Sequence, residues 1–348
     1  MKGPTVSVLI VTYNSLNHLG PCLDAISATG TDHEVVIVDN GSSDGTLTWL
    51  HEHHPRCKVI EAANGGYAMG NNIAAAHAEG DFFLVLNPDT VVSPGAVDHM
   101  VNLISADRDS IITPKLLQHD GTINACGTTM HFTGITSCNG LGERAENYSG
   151  VFESLILSGA AFLISREAWD SVEGFDPAFF MYMEDVDLSL RLRLLGYRIV
   201  CDAEAIVYHD YTLRLEPRKL FFLERNRLMM IAKIYEGRTW RRLWPGLVMA
   251  EVATWAYSVM KGPRFVWARF MAYVWVTARL PYILGTRSRV QGKRRVRDNS
   301  LLSLMSPVLP YYSLTKSSLA KNLSLMTTPL FRHVQRSALN LVEQKVSR

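Results

Sequence analysis

Three carboxylates crowd one predicted helical turn, Glu184-Asp185-Val186-Asp187, directly after the aromatic run Phe179-Phe-Met-Tyr-Met183. The helix macrodipole favours acids in a first turn, which accounts for them without chemistry. A carboxylate on a rigid element beside a pocket also suits a general base, the group an attacking hydroxyl needs. A further acid, Asp89, closes Asn87-Pro88-Asp89 at the end of the apolar run Phe82-Phe-Leu-Val-Leu86. There it suits Mg²⁺ or Mn²⁺, which take oxygen ligands and share them with phosphates. The same tripeptide also suits an Asx turn ahead of a helix from Pro94. His209 ends the run from Ile199 to Tyr208, as a ligand or as a structural imidazole. The segment Asn64-Gly-Gly-Tyr-Ala-Met-Gly-Asn-Asn72 is neither G-x-G-x-x-G nor a loop ending in G-K-[ST], which argues against a dehydrogenase or a P-loop NTPase. Its glycines let backbone approach a diphosphate or sugar, or simply make a tight turn.

These residues need elements to hold them. Val6-Ser-Val-Leu-Ile-Val11 and Glu34-Val-Val-Ile-Val38 read as strands buried on both faces. Cys57–Glu61, Phe82–Leu86, Ser154–Ile164 and Ile199–Tyr208 read as further strands. Helices are predicted after Ser15 as a cap, over Thr46–His53, near Asn71–Ala78, from Pro94, and from Glu184 to Leu195. The alternation predicts an α/β fold, a mostly parallel sheet flanked by helices. Ligands of such sheets sit outside the carboxyl ends of the strands. The polar clusters Thr12-Tyr13-Asn14, Asp39-Asn40, Asn64-Gly65-Gly66 and Asn87-Pro88-Asp89 fall at those ends.

Composition bounds the rest. The chain has 348 residues and net charge +2, with 47% hydrophobic and 20% charged residues. That excludes a disordered or collagen-like chain. Five scattered cysteines without a C-x-x-C pair argue against a disulfide framework or structural zinc, and for a reducing compartment. The run Val6–Val11 is too short for a signal-peptide core, so export is not expected. The near-neutral total hides a split: residues 1–210 hold 10 Lys+Arg and 27 Asp+Glu, and residues 211–348 hold 25 and 6.

The ordered motifs V-T-Y-N, V-D-N-G-S-S-D-G-T, N-G-G-Y-A-M-G-N-N, L-N-P-D-T, G-F-D-P-x-F-F-M-Y-x-E-D-V-D-L and V-Y-H resemble family 2 glycosyltransferases of the GT-A fold. Within them the forms are most similar to the bacterial rhamnosyltransferase-like branch. The resemblance covers about residues 5–235 and fades beyond. It implies that Thr12, Tyr13 and Asn14 line the nucleoside pocket and that Asp39 accepts a hydrogen bond from the pyrimidine. It implies that Asn64, Gly66 and Asn71 face the diphosphate and donor sugar. Asp89 would hold the metal as the second acid of a D-x-D motif, with Asn87 in the first position and His209 completing the site. Asp185 would be the base of an inverting transfer, with Glu184 and Asp187 positioning the base or the acceptor. The implied cofactor is Mg²⁺ or Mn²⁺, and the implied donor is dTDP-L-rhamnose. A UDP-sugar donor, or a catalytically inactive nucleotide-sugar-binding scaffold, is the alternative.

The tail predicts a membrane partner. Glu216–Tyr235 reads as a basic amphipathic helix. The apolar stretches Trp244–Met260 and Phe265–Leu284 are short or charged for a span, and suit an in-plane position. Arg287–Arg297 adds a dense cationic run suited to anionic lipid. A soluble helical domain with a solvated basic face is the plainer alternative. Nucleic acid is not expected, because these aromatics lie in apolar runs rather than among cations in a groove. The expected organisation is a catalytic domain over 1–212, a basic, Trp-rich membrane-associating helical region over 213–300, and a tail over 301–348 without an assigned role. Residues 303–310 and 327–329 read as turns or linkers. With the resemblance, this implies a polyprenyl-diphosphate-linked saccharide acceptor in bacterial surface-polysaccharide synthesis, at the cytoplasmic face of the inner membrane.

Overall fold

The apolar, β-branched runs form the strands. In the computed structural model, which describes residues 5–210, 214–310 and 318–339, they are β1 (Val6–Thr12), β2 (His33–Asp39), β3 (Lys58–Glu61) and β4 (Phe82–Leu86). Helices α1 (Leu16–Ser27), α2 (Thr46–His53) and α3 (Gly66–His77) join them. Then follow β5 (Thr90–Val92), α4 (Ala96–Ala106), β6 (Ser110–Leu117), β7 (Ile123–Cys126), and a two-stranded ribbon of β8 (Thr128–Met130) and β9 (Thr136–Cys138). β10 (Val151–Glu153), β11 (Ala161–Ser165), α5 (Arg166–Ser171), α6 (Glu184–Leu195) and β12 (Arg198–His209) complete the α/β part.

The sheet runs β10-β12-β6-β11-β4-β1-β2-β3. Pairs β4–β1, β1–β2, β2–β3 and β12–β6 are parallel, and β11 runs antiparallel between β4 and β6. β1 and β4 are buried throughout, as central strands must be, while β3 carries Lys58 and Glu61 at an edge. From β1 the chain steps to β2 on one side and returns to β4 on the other. Their carboxyl ends therefore flank a topological switch point, the usual place for a ligand crevice.

Four local expectations change. The strand foreseen over 154–164 is broken: β10 and β11 flank a turn at Ser158-Gly159-Ala160, whose N–H groups go to side chains instead of a ladder. The helix foreseen near Asn71 starts five residues earlier, at Gly66. Ser15 stands at the N-cap of α1 but makes no capping bond there, and Asp44 accepts from the Leu16 N–H instead, at 3.1 Å. The helix foreseen from Pro94 begins at Ala96, behind left-handed Gly95 (φ 79°).

The chain divides into two compact units: residues 1–128, 138–192 and 197–212, and residues 129–137, 193–196 and 213–348. The boundary foreseen at 212/213 lies outside the described residues, as do 311–317 and 340–348 of the unassigned tail. The second unit is helical: α7 (Pro217–Ile234), α8 (Gly237–Lys261), α9 (Pro263–Ala278), α10 (Leu280–Lys293), α11 (Asp298–Leu302) and α12 (Ser318–Leu339). Residues 327–329, foreseen as a turn, lie inside α12. No helix among the described residues is long and apolar enough to cross a membrane.

Helix α7 differs from the basic amphipathic helix foreseen there. Arg225, Arg227 and Lys233 are buried. Arg227 pairs with Glu224 at 2.9 Å and with Glu251, and Arg269 bonds the same two carboxylates. Arg225 stacks on Phe222 and Trp275, with its guanidinium carbon 4.5 and 4.4 Å from their ring centres. Part of the Arg287–Arg297 run is likewise turned inward: Arg294 pairs with Asp298 at 2.6 Å and with Glu236 at 3.5 Å.

Candidate active site

The nucleotide end of the crevice is built from two adjacent strand ends. Thr12 and Asp39 are register partners, and the Asn40 N–H donates to the Thr12 carbonyl at 2.9 Å. Asp39 is buried. Its Oδ1 accepts from the N–H groups of Gly41 (3.1 Å) and Ser42 (2.8 Å), while its buried Oδ2 has no hydrogen-bond partner. A buried orphan acceptor is costly, and a ring N–H is what would satisfy it. Asn14 takes the left-handed region (φ 52°) and its side chain accepts from the Ser43 N–H at 2.7 Å, while Tyr13 is exposed.

The glycine turn is fixed by sterics. Asn64 accepts from the Gly66 N–H at 3.1 Å, and Gly66 has φ 81°. A Cβ on Gly66 would stand 2.3 Å from the Phe180 carbonyl oxygen, so only glycine fits. Asn71 is buried in α3 and donates to the Tyr67 carbonyl at 3.0 Å. Gly66 thus meets the Phe180 backbone, and Asn71 braces the turn from inside.

Phe180, Tyr182 and Met183 all have positive φ (64°, 66° and 66°). Each such residue costs ~1–3 kcal/mol, a strain characteristic of functional loops. The loop delivers Asp185 at the start of α6, where Gly159 N–H donates to its Oδ2 at 3.1 Å and Val186 N–H to its Oδ1 at 2.8 Å. Burial raises the Asp185 carboxyl despite these bonds. Burial, then the Asp185 charge, pushes Glu184 up to about 8, and its Oε2 is an orphan. The pair therefore shares a proton near neutrality, and the two N–H donors place the negative charge on Asp185. Asp187 is fully buried and pairs with Arg191 at 2.7 Å, which also donates to the Val172 and Gly174 carbonyls. It anchors the first turn of α6.

Asp89 and His209 come together because β5 pairs β12 with Thr90 opposite His209. His209 Nε2 is 3.6 Å from Asp89 Oδ1, a buried oxygen with no hydrogen bond. Burial opposes the Asp89 charge, but His209 holds its carboxyl below the ordinary value. A hard oxygen beside an imidazole fits Mg²⁺ or Mn²⁺. Among the described residues no group of three His, Cys, Asp or Glu gathers. Asn87 donates its N–H to the Ala160 carbonyl at 2.9 Å, placing it beside the Gly159 turn.

Two residues escaped the sequence reading. Tyr67 is half-buried, and desolvation, then the charges of Glu184, Asp185 and Asp89, raise its hydroxyl. That hydroxyl donates to the Gly159 carbonyl at 2.6 Å. Gly159 in turn serves Asp185, and a Cβ on it would lie 3.2 Å from that carboxylate. Tyr67 sits within a recognised motif, but its partner is 92 residues away and no spacing rule reaches it.

Residues 7–172 match the family model of glycosyl transferase family 2. An uncharacterized protein of Sinorhizobium fredii is 30% identical over 231 residues, which is 60% of this chain and 25% of that one. The N-acetylglucosaminyl-diphospho-decaprenol L-rhamnosyltransferase of Mycobacterium tuberculosis is 29% identical over 58% of this chain and 75% of its own. This chain thus spans a quarter of the first relative's length and three quarters of the second's. GalNAc-T7, solved with UDP, GalNAc and Mn²⁺, superposes with TM-score 0.58 at 17% identity over 70% of this chain and 51% of that one. With a sheet of this topology and these matches, residues 7–172 form a family 2 glycosyltransferase domain and the chain carries the GT-A fold.

Proposed function

We propose that the protein is an inverting, divalent-metal-dependent glycosyltransferase that moves L-rhamnose from dTDP-L-rhamnose to a lipid-linked saccharide in bacterial surface-polysaccharide assembly. The observation that carries the reaction type is the Glu184–Asp185 pair, whose charge is directed onto Asp185 and which shares Tyr67 with Asp89. Asp185 takes the proton of the acceptor hydroxyl as that oxygen attacks the anomeric carbon. A single displacement needs one carboxylate and inverts the centre; its oxocarbenium-like character parallels glycoside hydrolysis. Asp39 and the loop at Ser42 and Ser43 hold the nucleoside. Asp89 and His209 would hold the cation, which when bound supplies Lewis-acid neutralisation of the leaving diphosphate.

The named rhamnosyltransferase among the relatives supports the sugar and the lipid-linked acceptor. Exposed apolar residues at helical spacing on α8 (Trp244, Val248, Val252, Val259) and on α9 (Phe270, Val274) support a peripheral position on an anionic membrane surface, at the cytoplasmic face. Hydrolysis of a nucleotide-sugar panel with Mn²⁺ in detergent tests the reading. Release of dTDP from dTDP-rhamnose above all other donors is expected. A preference for a UDP-sugar would discard rhamnose, and turnover of no donor would discard the enzyme.

A further inference from the structure

The first turns of α7 and α9 border an open groove of about 590 Å³ within the helical unit, in the size range of small-molecule sites. Its floor is apolar, made by Phe221, Trp267, Ala268 and Met271, with Pro217 and Pro263 at the helix starts. Arg218 and Arg264 are the charged residues lining it. Both are exposed, and neither forms an ion pair with a described residue. Glu216, at the N-cap position of α7, makes no side-chain capping bond, and its charge acts on Lys219.

The placement of these arginines is electrostatically costly. Each lies one residue after the proline that opens its helix, where the macrodipole is positive and acids are preferred. Neither first turn contains an acid. Two positive helix ends and two guanidiniums therefore converge on one apolar groove, with Trp267 left 63% exposed. An anion between the arginines would reverse the repulsion. An apolar chain on the floor would cover Trp267, Phe221 and Met271.

We propose that this groove binds the isoprenoid diphosphate end of the acceptor, its chain on Phe221, Trp267 and Met271 and its diphosphate against Arg218 and Arg264. The proposal rests on the reading that the acceptor is lipid-linked. The apolar floor lying beside two arginines matches one apolar chain with an anionic head, so the occupant is a single isoprenoid phosphate.

The test is equilibrium binding to the full chain, with the nucleotide site saturated by dTDP and Mn²⁺. Farnesyl diphosphate, farnesol, inorganic diphosphate and phosphatidylglycerol vesicles are the probes. Farnesyl diphosphate should bind at least tenfold more tightly than farnesol or inorganic diphosphate. An Arg218→Gln/Arg264→Gln variant should lose ten- to hundredfold of that affinity and none of the farnesol affinity, as loss of two charge-assisted contacts predicts. Trp267→Ala should weaken farnesyl diphosphate and leave inorganic diphosphate unchanged. Equal farnesyl diphosphate affinity in wild type and the double variant would overturn the site. So would inorganic diphosphate binding as tightly as farnesyl diphosphate, which makes it a bare anion site. Arginine-dependent binding to vesicles alone would assign the surface to the bilayer and overturn the acceptor role. Donor hydrolysis is measured on the same proteins. Arginine-dependent farnesyl diphosphate binding without hydrolysis of any donor would fail the enzymatic reading and leave the groove standing, and the converse would fail the groove alone.

Discussion

Replacing Glu184 with Gln separates the proton held by the carboxylate pair from the base itself. Glu184 is buried at the start of α6 with Oε2 unpartnered, and its carboxyl is pushed from an ordinary 4.5 to about 8 by burial and by Asp185. Between those values the folded chain binds a proton that the unfolded chain has released. Stability from this group is therefore complete below pH 4.5 and falls as pH rises toward 8, by up to about 1.4 kcal/mol per pH unit and about 5 kcal/mol over the interval at most. Glutamine has the shape of the protonated acid and does not titrate. Denaturant unfolding at pH 5, 7 and 9 should therefore show the advantage of Glu184→Gln over wild type growing with pH. At pH 7 turnover should stay within about tenfold, because the neutral form already prevails and Asp185 keeps both N–H donors. The acidic limb of the pH–rate profile should stay in place, because Glu184 is already protonated there and glutamine reproduces its neutral form. A stability difference independent of pH from 5 to 9 would refute the shared proton, as would a rate loss matching that of removing Asp185.

Three further predictions concern the same unit. Asp185→Asn should lower kcat by ~10²–10⁴, about 3–5 kcal/mol of barrier, with donor KM little changed; near-normal transfer by a folded variant would remove Asp185 as base. EDTA should abolish both transfer and the thermal stabilisation given by donor nucleotide, Mn²⁺ or Mg²⁺ should restore both, and Asp89→Ala or His209→Ala should resist restoration. Full activity in EDTA would dismiss the metal. Tyr67→Phe should lower kcat with donor KM unchanged and cost ~1–3 kcal/mol of stability, since the Gly159 carbonyl loses its donor. An unaltered pH–rate profile and kcat would leave Tyr67 a packing residue.

What was legible in the sequence follows the range of the interactions that make it. β1 and β4 are central strands with every residue buried, so an unbroken apolar run was a sufficient signal. Asp39, Asp89 and Asp185 stand at strand and helix ends, where a short motif fixes their place. The readings that failed depended on distant partners. Ser15 looked like a cap until Asp44, 28 residues beyond Leu16, took the Leu16 N–H. The strand through Gly159 was interrupted because Thr113 and Asp185 claim its backbone donors. The start of α3 moved to Gly66 because Phe180 closes over that residue.

The charge split also resolves into two populations. Read along the sequence, the cations of residues 213–297 form one basic field suited to lipid. In the helical unit Arg227 and Arg269 are consumed by Glu224 and Glu251, Arg294 by Asp298 and Glu236, and Arg225 by the rings of Phe222 and Trp275. Breaking such a buried pair leaves an uncompensated charge and is strongly destabilising, so these arginines are fixed by folding and are not available to a partner. The cations left for a partner are those whose positions the fold does not need, and Arg218 and Arg264 sit where the helix dipoles oppose them. A mutational scan that neutralises each population in turn should therefore separate cleanly. Neutralising Arg227 or Arg269 should lower stability by about 3–5 kcal/mol and abolish every activity with it. Neutralising Arg218 or Arg264 should leave stability within about 0.5 kcal/mol, or raise it slightly by relieving the dipole, while weakening lipid-phosphate binding. If surface and buried arginines had the same effect on both measurements, net charge alone would account for the basic tail.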